Sequence, residues 1–216
     1  KEKKIDLPVC ILNIGGISNF TFIKDFKEEN LISKDIGPGN CLIDEWIRRN
    51  KKGNYDKYGE LASAGKTNEL TLNQALEDFE NIPVKNINSF DVNDFEINFL
   101  RGLNLEDGAS TITDFTAYII ASKLLDEIIK SNQKISKIIL CGGGRKNLTL
   151  IKRIENYSGN KIEFEDIENY GVDGDFVESQ AFAFLAIRSF LKLPISFPNT
   201  TGCKLPSTGG VLVKNF

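Results

Sequence analysis

Two glycine-rich turns, each placed directly after an apolar and strand-like run, constrain this chain most. The hairpin turn, at residues 15–16, follows a run at 9–14, and the triple-glycine turn, at residues 142–144, follows a run at 138–141. Glycine lets the backbone approach a ligand closely, and aligned backbone N–H groups suit phosphate oxygens. We therefore expect two phosphate-binding turns that hold one nucleotide from two sides.

The order of strand-like and helix-like runs predicts the fold. Runs at residues 9–14 and 18–23 around a glycine turn predict a β-hairpin, and a third strand at 30–36 ends at a Gly-Pro-Gly turn. Two later strands, at 137–141 and 161–164, are separated by a helical run, so they should be parallel and buried on both faces. The pattern is typical of an α/β, ribonuclease H-like (actin-like ATPase) domain with a mixed sheet flanked by helices.

Apolar residues at helical spacing predict the helices of this domain. Asn40 is a suitable N-cap for the first helix, and Ser110 for a long helix in the middle of the chain. The last helix is rich in alanine and phenylalanine, which suits close packing on a sheet, and the stretch at 81–91 is polar and loop-like. The predicted helices cover residues 41–49, 71–79, 94–100, 110 onward, 146–157 and 176–190.

Composition places the chain among ordinary globular domains. Its 216 residues are 41% hydrophobic and 26% charged, and the net charge of -3 gives no electrostatic reason to expect a nucleic-acid or membrane partner. The four cysteines match neither a zinc-site nor a disulfide spacing, which favours reduced thiols and a cytoplasmic location. The chain has no methionine and begins with lysine, so we expect it to be part of a longer protein.

Polar residues around the two turns strengthen the case for phosphate binding. Asn13, Ser18 and Asn19 surround the hairpin turn and are able to donate hydrogen bonds, although a tight hairpin that merely needs glycine is the alternative. The triple-glycine turn ends a strand and opens a helix, which favours an anion. Its spacing fits neither a dinucleotide fingerprint nor a P-loop, and a purely structural glycine turn is the alternative.

Acidic residues at three places are candidates for ligand contacts, and the chain has no histidine to act as a base near neutral pH. Asp35 ends a strand beside a stiff turn, where a local backbone contact is the alternative. Asp44 lies one turn into the next helix, where the position favours a solvated helix acid; if Asp44 faces the cleft, it is able to contact a metal or sugar. Glu178 lies on an apolar helix, and a buried glutamate needs a hydrogen-bond network or a polar ligand.

Motifs along nearly the whole chain point to one family. They are Asn13-Ile14-Gly15-Gly16-Ile17-Ser18-Asn19, Asp35 with Gly37-Pro38-Gly39-Asn40, Leu42-Ile43-Asp44, Asp56 with Gly59 and Gly65, Cys141-Gly142-Gly143-Gly144 with Asn147, Glu178 with Gln180-Ala181-Phe182-Ala183, Pro198-Asn199-Thr200-Thr201-Gly202, and Gly209-Gly210. Together, and in the same order, these motifs resemble the anhydro-N-acetylmuramic acid kinase family. The resemblance implies an ATP- and Mg-dependent reaction of cell-wall recycling, in which water would open the 1,6-anhydro ring while the γ-phosphoryl group moves to the C6 oxygen, giving N-acetylmuramic acid 6-phosphate.

The same resemblance assigns the candidate site residues. The hairpin turn would hold phosphates, the triple-glycine turn the adenosine side, and Glu178 the sugar, while Asp35 and its turn would line the cleft between lobes. The residues expected to bind the cofactor are Asn13, Gly15, Gly16, Asn19, Gly142, Gly143, Gly144 and Asn147. The residues expected to bind substrate are Asp35, Gly37, Asn40 and Glu178, and the metal ligands stay unassigned.

The chain departs from the family in two places. The first half of the family, with its first phosphate loop and water-activating aspartate, has no counterpart here, so no catalytic residue is assigned and the general base is expected on the missing lobe. Residues 1–216 are therefore predicted to be a single C-terminal, nucleotide-binding lobe with a helical insertion at about 54–108. The segment at 82–89 keeps only Pro83 and Lys85 of the family pattern.

Three functions are compatible with these residues. The chain is the nucleotide-binding half of a two-lobed amino-sugar kinase, inactive alone and completed by its N-terminal lobe. Alternatively, it is a non-catalytic remnant of the same fold that dimerises and binds nucleotide weakly. A third alternative keeps the superfamily and changes the substrate to another sugar or a small acid.

Overall fold

The computed structural model describes residues 5–81, 89–132, 135, 137–160 and 162–213, and within them no helix is both long and apolar enough to cross a bilayer. The strands are β1 (Val9–Ile14), β2 (Ile17–Ile23), β3 (Leu31–Pro38), β4 (Lys137–Cys141) and β5 (Glu163–Asp166). The α-helices are α1 (Cys41–Arg49), α2 (Glu60–Ala64), α3 (Glu69–Glu80), α4 (Leu105–Ser131), α5 (Leu148–Tyr157), α6 (Val177–Phe190) and α7 (Pro198–Thr201). Short 3-10 turns lie at Glu28–Asn30, Lys57–Gly59, Val92–Asp94, Asn98–Leu100, Gly143–Lys146 and Ile167–Tyr170.

The sheet confirms the predicted mixed topology. Its strand order is β3-β2-β1-β4-β5, in which β1, β2 and β3 are antiparallel while β4 and β5 run parallel to β1. Because β1 and β4 are parallel neighbours, the turns that follow them open at the same edge of the sheet. This places the hairpin turn beside the triple-glycine turn.

Helix α4 lies at the centre of the core, where it packs against β3, α1, α2, α3 and α5. A Cβ on Gly108 would overlap the ring of Trp46, whose Nε1 donates to the Leu105 carbonyl at 2.9 Å. The helix begins at Leu105 and is capped by the Asn104 side chain. The predicted cap at Ser110 is therefore wrong, since this residue is buried inside the helix.

The stretch at residues 54–108 contributes α2 and α3, which both pack on α4. Their aromatic contacts include Phe79, which stacks on Phe95 with 6.2 Å between ring centres and meets Phe115 edge-on at 6.0 Å. The predicted helix at 71–79 is confirmed as α3. The predicted helix at 94–100 is wrong, because extended backbone at the buried Phe95 separates two 3-10 turns. The divergent positions 82–88 lie outside the described residues.

Two predictions about the last part of the chain are wrong. β5 is an edge strand with a polar sequence, and none of its residues is buried, so only β4 is buried on both faces. Its predicted first residue, Lys161, lies outside the described residues. Helix α6 does not pack on the sheet as predicted, since none of its residues is buried and only Val177 contacts the small cluster around Ile139.

Candidate nucleotide-binding site

The hairpin turn and the triple-glycine turn follow two neighbouring strands at one edge of the sheet. Asn13, at the end of β1, lies opposite Cys141, at the end of β4, so the glycines that follow these residues are neighbours. A Cβ on Gly142 would lie 2.6 Å from the Ile14 carbonyl oxygen, and a Cβ on Gly144 would overlap the Ile14 side chain. The close approach of Ile14, the last residue of β1, to the triple-glycine turn therefore requires glycine at both positions.

Backbone hydrogen bonds join the hairpin turn to the start of α1. The Gly39 N–H donates to the Gly16 carbonyl at 2.8 Å, and the Asn40 N–H donates to the Gly15 carbonyl at 2.8 Å. These bonds occupy the carbonyl groups of the hairpin turn, while the N–H of the exposed Gly16 has no partner in the described part of the chain. The N–H of Gly143, also exposed, likewise has no partner among the described residues. Both groups are free to donate to a ligand.

The triple-glycine turn leads into α5 through a short 3-10 turn. Gly142 has a φ of +79°, in the left-handed region that favours glycine. Asn147 then caps α5, because its Oδ1 accepts a hydrogen bond from the Leu150 N–H at 3.0 Å. The helix thus begins two residues after the predicted start at Lys146. The Asn147 side chain has a structural role here, and its contact with a nucleotide stays a prediction.

Three of the predicted site residues form a polar row across the sheet. Asn13 on β1 lies opposite Asn19 on β2, which in turn lies opposite Asp35 on β3. Opposed residues of neighbouring antiparallel strands project from the same face with Cβ atoms about 5 Å apart. That face is turned away from α4, since Leu12 and Ile14, on either side of Asn13, are fully buried in the main core.

Asp35 and Gly37, both predicted to bind substrate, have different surroundings. The Asp35 Oδ2 accepts a hydrogen bond from the Phe90 N–H at 2.8 Å, a contact distant in sequence rather than local. Asp35 also lines a cleft of about 320 Å³ together with Thr200 of α7. Gly37 is buried, and a Cβ there would lie 2.6 Å from Cγ2 of Ile119, so this glycine lets β3 pack on α4. Its contact with substrate stays a prediction.

A cleft of about 390 Å³ lies between the start of α1, the turn at residues 55–58 and the triple-glycine turn. The exposed rings of Tyr55 and Tyr58 belong to one wall, and Gly143 belongs to another. Asn40 occupies the N-cap position of α1 but makes no capping side-chain bond, and its Nδ2 lies 3.9 Å from where a Cβ of Gly143 would be. The lining residues are Asn40, Ile43, Asp44, Tyr55, Asp56, Lys57, Tyr58, Gly143, Lys146 and Asn147.

Sequence reasoning missed the aromatic wall of this cleft. Tyr58 has a φ of +56°, which is uncommon for a tyrosine, and the Lys57 Nζ lies 5.4 Å from the centre of its ring. Asp56 holds this turn, since its carboxylate accepts a hydrogen bond from the Leu61 N–H at 2.9 Å. The signal available in the sequence was a pair of tyrosines three residues apart in a polar stretch, on either side of Asp56.

Asp44 lies in the wall of the cleft and is half-buried, so the alternative of a solvated helix acid is wrong. Burial raises the pKa of Asp44 to about 6. The nearby Arg48 lowers this pKa and the carboxylate of Asp56 raises it, both by smaller amounts than burial. The chain therefore has one carboxyl group in its candidate site that titrates close to neutral pH.

The buried Arg145 joins the triple-glycine turn to the end of β5 and to the start of α6. Its guanidinium pairs with Asp166 at 3.3 Å, Glu168 at 2.6 Å and Asp175 at 3.0 Å, and it donates to the Gly142 carbonyl at 3.1 Å. Sequence reasoning gave Arg145 no role. The available signal was the acidic stretch at residues 163–175, which follows a single Arg-Lys pair beside the glycines.

Glu178 lies in the first turn of α6 and is exposed, so the expectation of a buried glutamate is wrong. The reason is that α6 itself is uncovered. Asp175, three residues earlier, pairs with Arg145 and with Lys146, which ties this end of α6 to the triple-glycine turn. The contact of Glu178 with a sugar stays a prediction.

Comparison with known proteins gives a consistent family assignment. The family model described as anhydro-N-acetylmuramic acid kinase matches residues 3–215. A relative of that description from Pelagibacter ubique is 53% identical over 215 residues, which cover 100% of this chain and 57% of the relative. Another, from Zymomonas mobilis, is 38% identical and covers 94% of this chain and 53% of the relative. The chain thus spans about half the length of the curated relatives it matches.

Among solved structures, the activator of the 2-hydroxyisocaproyl-CoA dehydratase from Clostridium difficile, with bound ADPNP, aligns with this chain. The TM-score is 0.45 at 12% sequence identity, over 75% of this chain and 55% of the activator.

Proposed function

Because the chain belongs to the anhydro-N-acetylmuramic acid kinase family, we propose that it is the nucleotide-binding half of a two-lobed, ATP-dependent kinase of 1,6-anhydro-N-acetylmuramic acid. In that reaction water opens the anhydro ring and the γ-phosphoryl group passes to the C6 oxygen, giving N-acetylmuramic acid 6-phosphate. The proposal includes an N-terminal lobe, since the chain spans about half of each relative. It also places the protein in the cytoplasm and in cell-wall recycling.

The position of the two glycine turns at the ends of neighbouring parallel strands is the observation that carries this proposal. The exposed N–H groups of Gly16 and Gly143 follow two strands that are direct neighbours, so one chain of phosphates is able to reach both. Ile14 lies against Gly142 and Gly144 and leaves no room for larger side chains there.

The cleft beside the triple-glycine turn supports a nucleoside position. Its volume of about 390 Å³ falls within the range of small-molecule sites, about 300–1,000 Å³. Tyr55 and Tyr58 offer aromatic faces on which a purine base can stack. Gly143 belongs both to the cleft and to the turn, so the base and the phosphates of one nucleotide can be bound together.

Mg²⁺ fits this chain as an ion carried by the nucleotide. The described residues contain no group of three or more Asp, Glu or Cys side chains suited to a metal ion. Mg²⁺ usually keeps several waters and binds one or two carboxylates together with substrate phosphates. We assign Asp44, in the wall of the cleft, to the hydrated ion, which would supply charge for the phosphoryl transfer. Lys146, in the same wall, offsets phosphate charge.

The role of this chain in the proposed reaction is to bind and orient the nucleotide. Phosphoryl transfer depends mainly on positioning and on stabilisation of charge. The loss of a general base costs about 10²–10⁴-fold in rate, and we assign that base to the other lobe. Asp35, Asn40 and Glu178 stay the proposed sugar contacts, and Asp35 lies in one row with the phosphate-side residues Asn13 and Asn19.

Replacing Gly143 by valine tests the nucleotide site. A Cβ at Gly143 has its nearest neighbour at 3.9 Å, so the fold has room for a side chain there, and because Gly143 lines the cleft that side chain narrows the space for a nucleotide. We expect the affinity for ATP with Mg²⁺, measured by isothermal titration calorimetry, to fall by about ten-fold or more, roughly 1.4 kcal/mol. The melting temperature should stay unchanged.

The matched control is Gly209→Val, because a Cβ there meets only the flexible end of Ile195, outside the cleft. This variant should bind ATP as the parent protein does. If Gly143→Val also binds ATP as tightly as the parent, the triple-glycine turn is structural and the proposed nucleotide site is rejected.

A non-catalytic module of the same fold is the second candidate. The observation that favours it is the uncovered helix α6, whose apolar surface suits an interface between protein chains. Such a module would dimerise and bind nucleotide without acting on a sugar. Sugar phosphorylation by the chain once it is joined to the N-terminal part of a relative would exclude this candidate.

A further inference from the structure

The last part of the chain exposes an unusual amount of apolar surface. Phe182, Phe190 and Leu212 are between 61% and 68% exposed, and Val211 is 89% exposed. These four residues line one groove of about 760 Å³ between α6 and the segment at residues 208–212. We call this surface the α6 face, defined by Phe182, Phe190, Val211 and Leu212.

Helix α6 has the composition of a helix that is buried on all sides. Only Glu178 and Arg188 are charged among its fourteen residues, and alanine, phenylalanine and other apolar residues surround its axis. Helices that are hydrophobic all round normally lie inside a larger protein. In the described part of this chain, however, no residue of α6 is buried. A contiguous exposed apolar surface of this kind marks an interaction site.

Polar contacts hold α6 in place at both ends. At its start, Asp175 pairs with Arg145 and Lys146 at 3.0 and 2.6 Å. Near its end, Arg188 donates to the Pro194 carbonyl at 2.6 Å and pairs with Glu28 at 3.0 Å. The helix is thus fixed to the domain while its apolar surface stays uncovered. A surface that is already ordered loses less conformational entropy when a partner binds.

We propose that the α6 face is the surface on which the N-terminal lobe packs, an inference that rests on the two-lobed kinase proposed above. All of this chain, α6 included, matches a relative in which a little under half of the length lies outside the match. In such a relative the other part is in the same polypeptide. Its effective concentration at α6 is therefore far above that of a second molecule.

Hydrogen–deuterium exchange on a full-length chimera tests this inference. The chimera joins the unmatched part of the Pelagibacter ubique relative to the start of this chain, and it is compared with the chain alone. We expect the amides of residues 177–190 to exchange about ten-fold or more slowly in the chimera, because burial raises the free energy of opening. Equal exchange of α6 in the two proteins would overturn the inference.

Substitutions on the α6 face locate the contact. The double variant Phe182→Asp with Phe190→Asp should restore fast α6 exchange in the chimera. Since neither residue is buried in the chain alone, it should leave the melting temperature of that chain unchanged. Leu70→Asp on α3, at a position 83% exposed, is the matched control and should leave the slow exchange intact. If the control has the same effect as the double variant, the α6 face is not the contact surface.

Sedimentation velocity tests the other possible occupant of the α6 face, which is a second copy of this chain. Two results together would assign the α6 face to that second copy and overturn the inference. The chain alone would form a dimer that the double variant dissociates, and α6 would exchange as fast in the chimera as in the chain alone. Nucleotide binding is measured separately, by calorimetry on the chain alone. Slow α6 exchange without ATP binding would therefore reject the proposed function and leave the α6 contact standing.

Discussion

Arg145 is 1% exposed, whereas the three carboxylates with which it pairs are between 40% and 56% exposed. Removing the guanidinium leaves these carboxylates hydrated but mutually repelling, and it opens space beneath the triple-glycine turn. We expect Arg145→Ala to lower the free energy of unfolding, measured by urea denaturation, by about 2 kcal/mol. Its affinity for ATP should also fall.

The control for Arg145 is its neighbour Lys146, whose pair with Asp175 is half-exposed on both sides. Lys146→Ala should lower the free energy of unfolding by less than about 1 kcal/mol. Equal losses of stability in the two variants would contradict a special role for the buried guanidinium.

Asp44 gives the chain a pH dependence of defined sign. Burial raises its pKa to about 6, above the ordinary value of about 3.9. The folded state therefore binds this proton more tightly than the unfolded chain, and ionisation of Asp44 lowers the stability as pH rises from about 4 to about 6. The melting temperature of Asp44→Asn, relative to the parent protein, should rise across that window and stay level above about pH 7.

Differential scanning fluorimetry from pH 4 to pH 8 measures this trend, with Asp126→Asn on the exposed surface of α4 as the control. The control should follow the parent protein at every pH. If the melting temperature of Asp44→Asn changes with pH in parallel with that of the parent protein, the burial of this carboxyl does not affect stability.

Among individual residues, the sequence predicts the glycines and asparagines of the strand ends, because a strand followed by glycine is recognisable from spacing alone. It does not predict Tyr55, Tyr58 or Arg145. Which loop folds over a strand end depends on contacts between segments distant in the chain, such as that of Arg145 with Asp175. Spacing along the sequence does not contain these contacts.

The strands are predicted closely, because each β-prone run is bounded by glycine, proline or polar residues. β1 has the predicted limits, and β2 begins one residue earlier than predicted. The predicted end of the third strand at residue 36 is wrong, because β3 continues through Gly37 and Pro38, and β5 lies two residues later than predicted. The burial of the helices is not predicted as closely. Helices α4 and α6 are both rich in apolar residues, yet α4 forms the core and α6 is uncovered. Composition predicts that a helix needs burial and does not specify the surface that provides it.

The packing of α4 against α1 leads to a prediction about Gly108. Glycine to alanine inside a helix ordinarily stabilises by about 1 kcal/mol. Here the new methyl group would overlap the ring of Trp46, so we expect Gly108→Ala to lower the free energy of unfolding by about 1–3 kcal/mol. Urea denaturation of the variant and the parent protein, each checked for a two-state transition, measures this loss of free energy.

A double-mutant cycle controls this prediction. In a Trp46→Leu background the indole is absent, so the additional cost of Gly108→Ala should shrink or change sign. If Gly108→Ala lowers the free energy of unfolding equally in both backgrounds, contact with Trp46 is not the cause of the loss.

The described domain as a whole has the proposed nucleotide cleft and no assigned general base. We therefore expect the chain alone to show no phosphorylation of 1,6-anhydro-N-acetylmuramic acid, although ATP with Mg²⁺ should raise its melting temperature by mass action. Phosphorus NMR of the sugar product and thermal shift with ATP measure these outcomes. Product formation by the chain alone would contradict the two-lobed account.

β1 and β4 lie side by side as one hydrogen-bonded pair, and such strands are separated by about 4.8 Å. The gap between the two glycine turns is thereby set by main-chain geometry, and it cannot widen unless the ladder between the strands breaks. A triphosphate would bind between two strand ends whose spacing is already fixed. In the proposed two-lobed kinase, opening to admit substrate and closing around it would then be a rigid-body movement between the lobes, while the strand ends keep their spacing.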